Sequence, residues 1–259
     1  MELGLKGRVA IVGGASQGIG YGIARLLAAE GAGVAMVARR KEPLDLSSKK
    51  ISSETGAEVL AIPADIRKAE DCARIVAEAA AHFGRLDILV NNDGAPPLGA
   101  LLDFDDAAWD KALQQNLMSV VRLSRGAVPH MRKAGGGRIV NITALSVLQP
   151  LPTFGLSAAT WAAVLGYAKT LSLELAREGI TVNTICPGRI ATGRIATVFG
   201  GGDASASELA EKLAKEIPLG RLGQPEEIAS LVALLASERG AYITGSTFHV
   251  DGGRRASLL

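Results

Sequence analysis

A chain of 259 residues is long enough for one large α/β domain with a sizeable core, and short for two. Apolar residues make up 48% and charged residues 21%, and the net charge of +2 gives no reason to expect nucleic acid or an anionic membrane as a partner. Cys72 and Cys186 stand far apart and lack metal-ligand spacing, which points to a reduced compartment and no metal site.

The opening, MELGLKGRVAIVGG, runs straight into a strand-like segment without a signal-peptide layout. The longest apolar runs, such as Ile228 to Ala236, are too short to cross a bilayer, so a cytoplasmic protein is expected. Strands are predicted at Arg8 to Gly13, Val34 to Ala38, Glu58 to Ile62, Leu86 to Asn91, Arg138 to Thr143, Thr181 to Cys186 and Thr247 to Val250. Their near-continuous apolar character suits strands buried on both sides of a parallel sheet. Helical patterns fill the gaps, among them Gly20 to Glu30, Lys68 to Phe83, Asp106 to Arg132 and Leu156 to Arg177. Between residues 189 and 217 the alternation breaks, and Gly200-Gly-Gly202 punctuates it, so this segment is expected to form a lid over a ligand. There is no repeat and no linker, and a single domain over 1–259 follows.

The first strand ends in Gly13-Gly-Ala-Ser-Gln-Gly-Ile-Gly20, where a helix opens. Glycines at 14, 18 and 20 allow a tight turn and let a pyrophosphate approach the free N–H groups of the helix. Glycines in a turn can also be turn chemistry alone; the place after the first strand of a βαβ unit favours phosphate. After the second strand, folds that prefer NAD carry an acid for the ribose 2′-hydroxyl. Here Ala38 is followed by Arg39 and Arg40, which suit a 2′-phosphate and favour NADP(H) over NAD(H); the bland alternative is a solvated basic turn.

The turn at 13–20, Asp65, Asn91-Asn-Asp-Gly94, Asn116, Pro187-Gly188 and Asp251-Gly252-Gly253 together resemble the short-chain dehydrogenase/reductases, nearest to the beta-ketoacyl carrier-protein reductases. The resemblance spans essentially the whole chain. It implies an α/β fold, a single doubly wound Rossmann domain with a seven-stranded parallel sheet and helices on both faces. It further implies a nicotinamide cofactor over the strand ends and a homotetramer or homodimer. Carried over by position, Gly14, Ser16, Gln17, Gly18, Ile19 and Gly20 would hold the phosphates, and Arg39, with Arg40 beside it, would meet the ribose phosphate. Asp65 and Ile66 would flank the adenine, Asn92 and Gly94 would touch the ribose, and Pro187, Gly188, Ile190 and Thr192 would anchor the carboxamide. Two departures stand out. Gly13 replaces the family's Thr, at the cost of a structural hydroxyl and little else, and Asp93 replaces an Ala, setting a carboxylate near an anionic cofactor.

The family's chemistry uses Asn, Ser, Tyr and Lys. Aligning on Gly137-Arg-Ile-Val-Asn141 and Gly179-Ile-Thr-Val-Asn183 puts these on Asn116, Ala144, Ser157 and Trp161. Residues 144–166 contain no Tyr and no Lys, and Tyr167 lies about 15 Å along the helix from Ser157 and is expected on a different face. A Ser hydroxyl is far too weak an acid to stand in for a phenol. Thr143 and Ser146, beside Ala144, could offer a hydroxyl to substrate or serve the strand end. Asn116 could be a relay member or a helix-packing residue. Trp161 would fill the vacated lysine and tyrosine volume or face a core or a dimer partner. His82, His130 and His249 lack companions for a triad or metal, and Cys186 reads as a buried strand-end thiol. Two readings remain: an NADP(H)-dependent oxidoreductase with an atypical centre, acting on an unknown carbonyl or activated double bond, and a catalytically silent nucleotide-binding protein or partner subunit.

Overall fold

The computed structural model describes residues 2–195 and 206–257. Seven parallel strands lie in the order β3-β2-β1-β4-β5-β6-β7: β1 Val9–Val12, β2 Gly33–Ala38, β3 Val59–Pro63, β4 Ile88–Asn91, β5 Gly137–Ile142, β6 Ile180–Pro187 and β7 Thr247–Val250. The order runs outward in both directions from β1 and β4, so the connections diverge there and leave a crevice at the strands' carboxyl ends.

Successive strand residues point to opposite faces, and each face has its own core. On one, Ala10, Val12, Val34, Met36, Val90 and Ile185 pack with Ile23 and Leu27 of α1 (Gly18–Ala29), Leu44 and Ile51 of α2 (Lys41–Thr55), and Ile228 and Val232 of a late helix, Pro225–Ala236. On the other, Val9, Ile11, Ala35, Val37, Leu89 and Ile139 pack with Ile75 and Val76 of α3 (Ala69–Phe83) and with two long helices described next. The sheet is therefore covered on both sides, and one α/β domain results.

Local differences from the sequence expectations have physical causes. Helix α1 begins at Gly18, two residues early, directly after the extended Gln17, and Gly18 itself still carries the positive φ of the turn. The long helix expected over Asp106 to Arg132 is three pieces: α4 Asp106–Leu113, a π-helical turn Gln114–Met118, and α5 Ser119–Lys133. The π turn absorbs an extra residue and re-aims Asn116 inward. Strand β7 is an edge, and its Thr247 and His249 are exposed rather than buried on both sides. Helix α6 (Gly155–Leu175) runs beneath β6, α7 covers Ala206–Ala214, and α8 is Pro225–Ala236. Gly200-Gly-Gly202, the centre of the expected lid, lies outside the described residues.

Candidate active site

The glycine-rich turn is built by close backbone approach. Gly14 and Gly18 sit at φ +57° and +60°, where side chains other than glycine's are strained. A Cβ on Gly20 would fall 2.4 Å from the Gly14 carbonyl oxygen, so the start of α1 can press onto the end of β1 only without one. Gly13 is more than a missing hydroxyl: its own Cβ would come 2.4 Å from the Asn92 carbonyl. No acidic residue stands in the first turn of α1 and Gln17 provides no side-chain cap, which leaves N–H donors for an anion. The Ser47 hydroxyl of α2 donates to the Ser16 carbonyl at 2.9 Å, steadying the turn from outside.

From this turn a cleft of about 550 Å³ runs past Ala38, Arg39 and Arg40 to Asn92, Gly94 and Thr192. Gly14, Ser16, Gln17, Gly18, Ile19 and Gly20 all line it. These residues fit a dinucleotide: open donors and glycines where phosphates would lie, and two guanidinium groups where a ribose phosphate would lie. Asn92 lines the cleft too, but its amide donates to the Gly13 carbonyl at 2.9 Å and so braces the turn. Asp65 pairs with its near neighbour Arg67. The Arg67 guanidinium, 2.5 Å from its Oδ2, holds its carboxyl below the usual range. Ile66 lines a smaller cavity of about 30 Å³ that also reaches Asn92 and Gly94.

Asp93 borders the cleft, the small cavity and the pocket described next. Burial pushes its carboxyl up, while the Gly94 N–H and the nearby Arg39 and Arg67 pull it down. Arg194 also faces it, and burial lowers that guanidinium while Asp93 supports its charge. The carboxylate near the anion site thus has cations around it.

A pocket of about 160 Å³ opens beside the cleft and shares Ile19, Asn92, Asp93, Thr192 and Arg194 with it. Pro187, Gly188 and Ile190 form one wall, and Ile142, Leu145, Leu151, Phe154 and Trp161 form the apolar remainder. Trp161, 8% exposed, packs with Val120 and Val164, and Ala144, Leu117 and Ala95 close around that cluster. Ser157, one turn earlier on α6, is fully buried, and its hydroxyl has no partner among the described residues. Its side chain is not part of the pocket wall. Tyr167 packs at the edge of the Trp161 cluster, which does not include Ser157, and does not reach the pocket.

The other candidate polar groups divide sharply. Asn116, from the π turn, donates to the Thr160 hydroxyl at 2.8 Å, and Thr160 donates to the Leu156 carbonyl, so the pair ties two helices together. Thr143 lines the pocket but its hydroxyl lies 3.3 Å from the Ile185 carbonyl and 3.1 Å from the Cys186 sulfur. Ser146 also lines it, and its buried hydroxyl has no partner among the described residues. Burial pushes the Cys186 thiol up, while the Thr143 hydroxyl pulls it down. His82 pairs with Glu58 at 2.8 Å, and among the described residues no group of three or more His, Cys, Asp or Glu could hold a metal. Three arginines that sequence reasoning passed over, Arg189, Arg194 and Arg254, line the pocket. Arg189 and Arg254 both reach Glu216, at 2.6 and 3.2 Å. Only the fold brings these distant positions together; the Asp251-Gly-Gly253 motif just before Arg254 was the one available hint.

No helix among the described residues is long and apolar enough to cross a membrane. Comparison with known proteins agrees with the geometry. Residues 14–255 match the family model described as enoyl-(acyl carrier protein) reductase. The chain is 38% identical over 245 residues to 3-oxoacyl-(acyl-carrier-protein) reductase FabG of Staphylococcus aureus, covering 94% of this chain and 96% of that protein. It is 35% identical over 255 residues to dehydrogenase/reductase SDR family member 4 of Homo sapiens, covering 98% and 90%. The crystal structure of L-sorbose reductase from Gluconobacter frateurii, complexed with NADPH and L-sorbose, superposes with a TM-score of 0.95 at 34% identity, covering all of both chains. The chain belongs to the short-chain dehydrogenase/reductase family of NAD(P)-dependent oxidoreductases.

Proposed function

We propose that this protein is an NADP(H)-dependent reductase with an atypical centre, acting on a small carbonyl compound or activated double bond. The observation that carries the reading is the continuity of two cavities. The cleft of glycines and arginines opens through Asn92, Asp93, Thr192 and Arg194 into an apolar-walled pocket of a size for a small molecule. Gly14 to Gly20 would hold the phosphates, Arg39 and Arg40 the ribose phosphate, and Ile190 and Thr192 the carboxamide. When bound, the cofactor supplies a hydride.

The chain's own residues position and shield. Trp161 and Phe154 give the pocket its apolar wall, and the Ser146 hydroxyl, buried on that lining, would be the donor to a substrate oxygen. Thr143, Asn116 and Ser157 support that wall from behind. No side chain here matches a tyrosyl acid, which elsewhere would contribute about 10²–10⁴-fold. Holding donor and acceptor together contributes separately, about 7–11 kcal/mol in well-oriented systems. Slow reduction with a proton from water fits this arrangement; alcohol oxidation, which needs a strong base, does not. A homodimer or homotetramer in the cytoplasm goes with the family reading.

The sealed hydroxyl of Ser157 and the indole beside it favour a second reading, a nucleotide-binding partner without turnover. Calorimetric titration with NADPH and NADH, followed by absorbance assays on ketones, quinones and acyl thioesters, separates the two. NADPH binding tighter than NADH with measurable turnover supports the first. Binding without any turnover supports the second, and no binding of either nucleotide overturns both.

A further inference from the structure

The pocket's apolar wall faces an unusually cationic one. Arg189, Arg194 and Arg254 all contribute to it, against Asp93 on the lining and Glu216 behind it. Arg194 also borders the cofactor cleft, whereas Arg189 and Arg254 do not. Two guanidinium groups therefore belong to the pocket alone, and they share one carboxylate, that of Glu216. Arg189 is well occupied, since it also donates to the Leu213 carbonyl at 3.3 Å.

Arg254 is different. Its side chain is only 11% exposed, and its Nε is buried without a hydrogen-bond partner among the described residues. Its backbone is clamped: Asp251 accepts from the N–H of Gly253 and of Arg255 at 2.9 Å each, and the Ala256 N–H donates to Gln149 at 2.9 Å. A buried cationic donor held rigidly on a pocket wall with an unused N–H is a preorganised anion receptor. The planar fork of a guanidinium matches a carboxylate better than any neutral group. The low exposure of the Arg254 side chain strengthens its attraction for an anion.

We propose that the small molecule reduced in this pocket carries a carboxylate, which docks on Arg254. This rests on the reductase reading above and specifies its substrate class as an oxo acid or unsaturated acid. Glu216 positions Arg254 and offsets the charge of Arg189, so that one net cation remains for the ligand. The apolar wall of Leu151, Phe154 and Trp161 takes the carbon chain.

The test uses the full chain saturated with NADP⁺ and a series of oxo acids of roughly three to six carbons, each with its methyl ester. Binding is read by quenching of Trp161 fluorescence in a Trp109→Phe background, and turnover by NADPH absorbance. At least one acid is expected to bind about tenfold or more tightly than its ester, the scale of one charge-assisted pair. Arg254→Gln should erase that difference while leaving NADPH affinity unchanged, and Arg254→Lys should retain part of it. Equal binding of acid and ester, binding of neither, or an acid preference that survives Arg254→Gln would each overturn the assignment. Loss of NADPH binding by the unmodified chain would instead show that the underlying reductase reading has failed.

Discussion

Replacing Ala144→Ser, Ser157→Tyr and Trp161→Lys together should convert this pocket into a general carbonyl reductase. Positions 157 and 161 are one turn apart on α6, so the introduced side chains emerge on one face. Trp161 alone is worth a good deal to the fold. At 8% exposure its loss to a small residue would cost about 3–5 kcal/mol, of which the aliphatic stem of a lysine recovers a part. Trp161→Lys by itself should therefore lower the melting temperature by on the order of 10 °C. In the triple variant the phenol occupies the volume the indole leaves, and much of that loss returns. A positioned acid contributes about 10²–10⁴-fold, or about 3–5 kcal/mol off the barrier. NADPH oxidation with simple ketones should rise by at least about 10²-fold over the parent. Melting curves, NADPH calorimetry and absorbance kinetics on the same preparations check each step. A triple variant that folds, binds NADPH with parental affinity and gains no turnover would refute both the positional assignment and the role given to the missing acid.

Two further outcomes follow from the same geometry. Burial raises the Asp93 carboxyl above its ordinary 3.8, so the native state holds that proton to higher pH than the unfolded chain does. Ionisation therefore costs stability: the penalty is absent below the unfolded value and grows as pH rises through the raised one. Asp93→Asn should match the parent in acid, exceed it in stability near neutral pH, and bind NADPH more tightly; a difference that stays flat across the pH range would contradict this. Thr153, exposed and held at φ +67°, is a β-branched residue in the left-handed region. Thr153→Gly should raise stability by roughly 1 kcal/mol in thermal unfolding, and a loss of stability would show that the strain is absent.

Much of this was legible before any coordinates. Strands buried on both faces announce themselves as apolar runs, and β1, β2, β4, β5 and β6 fall within a residue or two of their expected limits. The glycine turn was equally plain, because a backbone that must touch leaves no choice of residue. What the sequence concealed depends on pairs of distant side chains. Asp65, expected beside the adenine, also pairs with Arg67. Asn92, expected beside the ribose, lines the cleft and also gives its amide to the Gly13 carbonyl. The π turn at Gln114–Met118 carries no composition signal, and the bond from its Asn116 to Thr160 links positions far apart in the chain. The arginines of the pocket wall come from positions 189, 194 and 254, and the pairing of β6 with β7 brings the segments that follow those strands together.

The buried indole of Trp161 couples its own position to that of Ser157. From here, a single Trp161→Lys step would strand an ammonium in an apolar nest without a phenol to serve. A single Ser157→Tyr step would drive an aromatic ring into space already filled. Each separate change is penalised, whereas the combined change offsets much of the cost, so positions 157 and 161 behave as one unit. Sequence variation here is therefore expected to alter both positions together or neither.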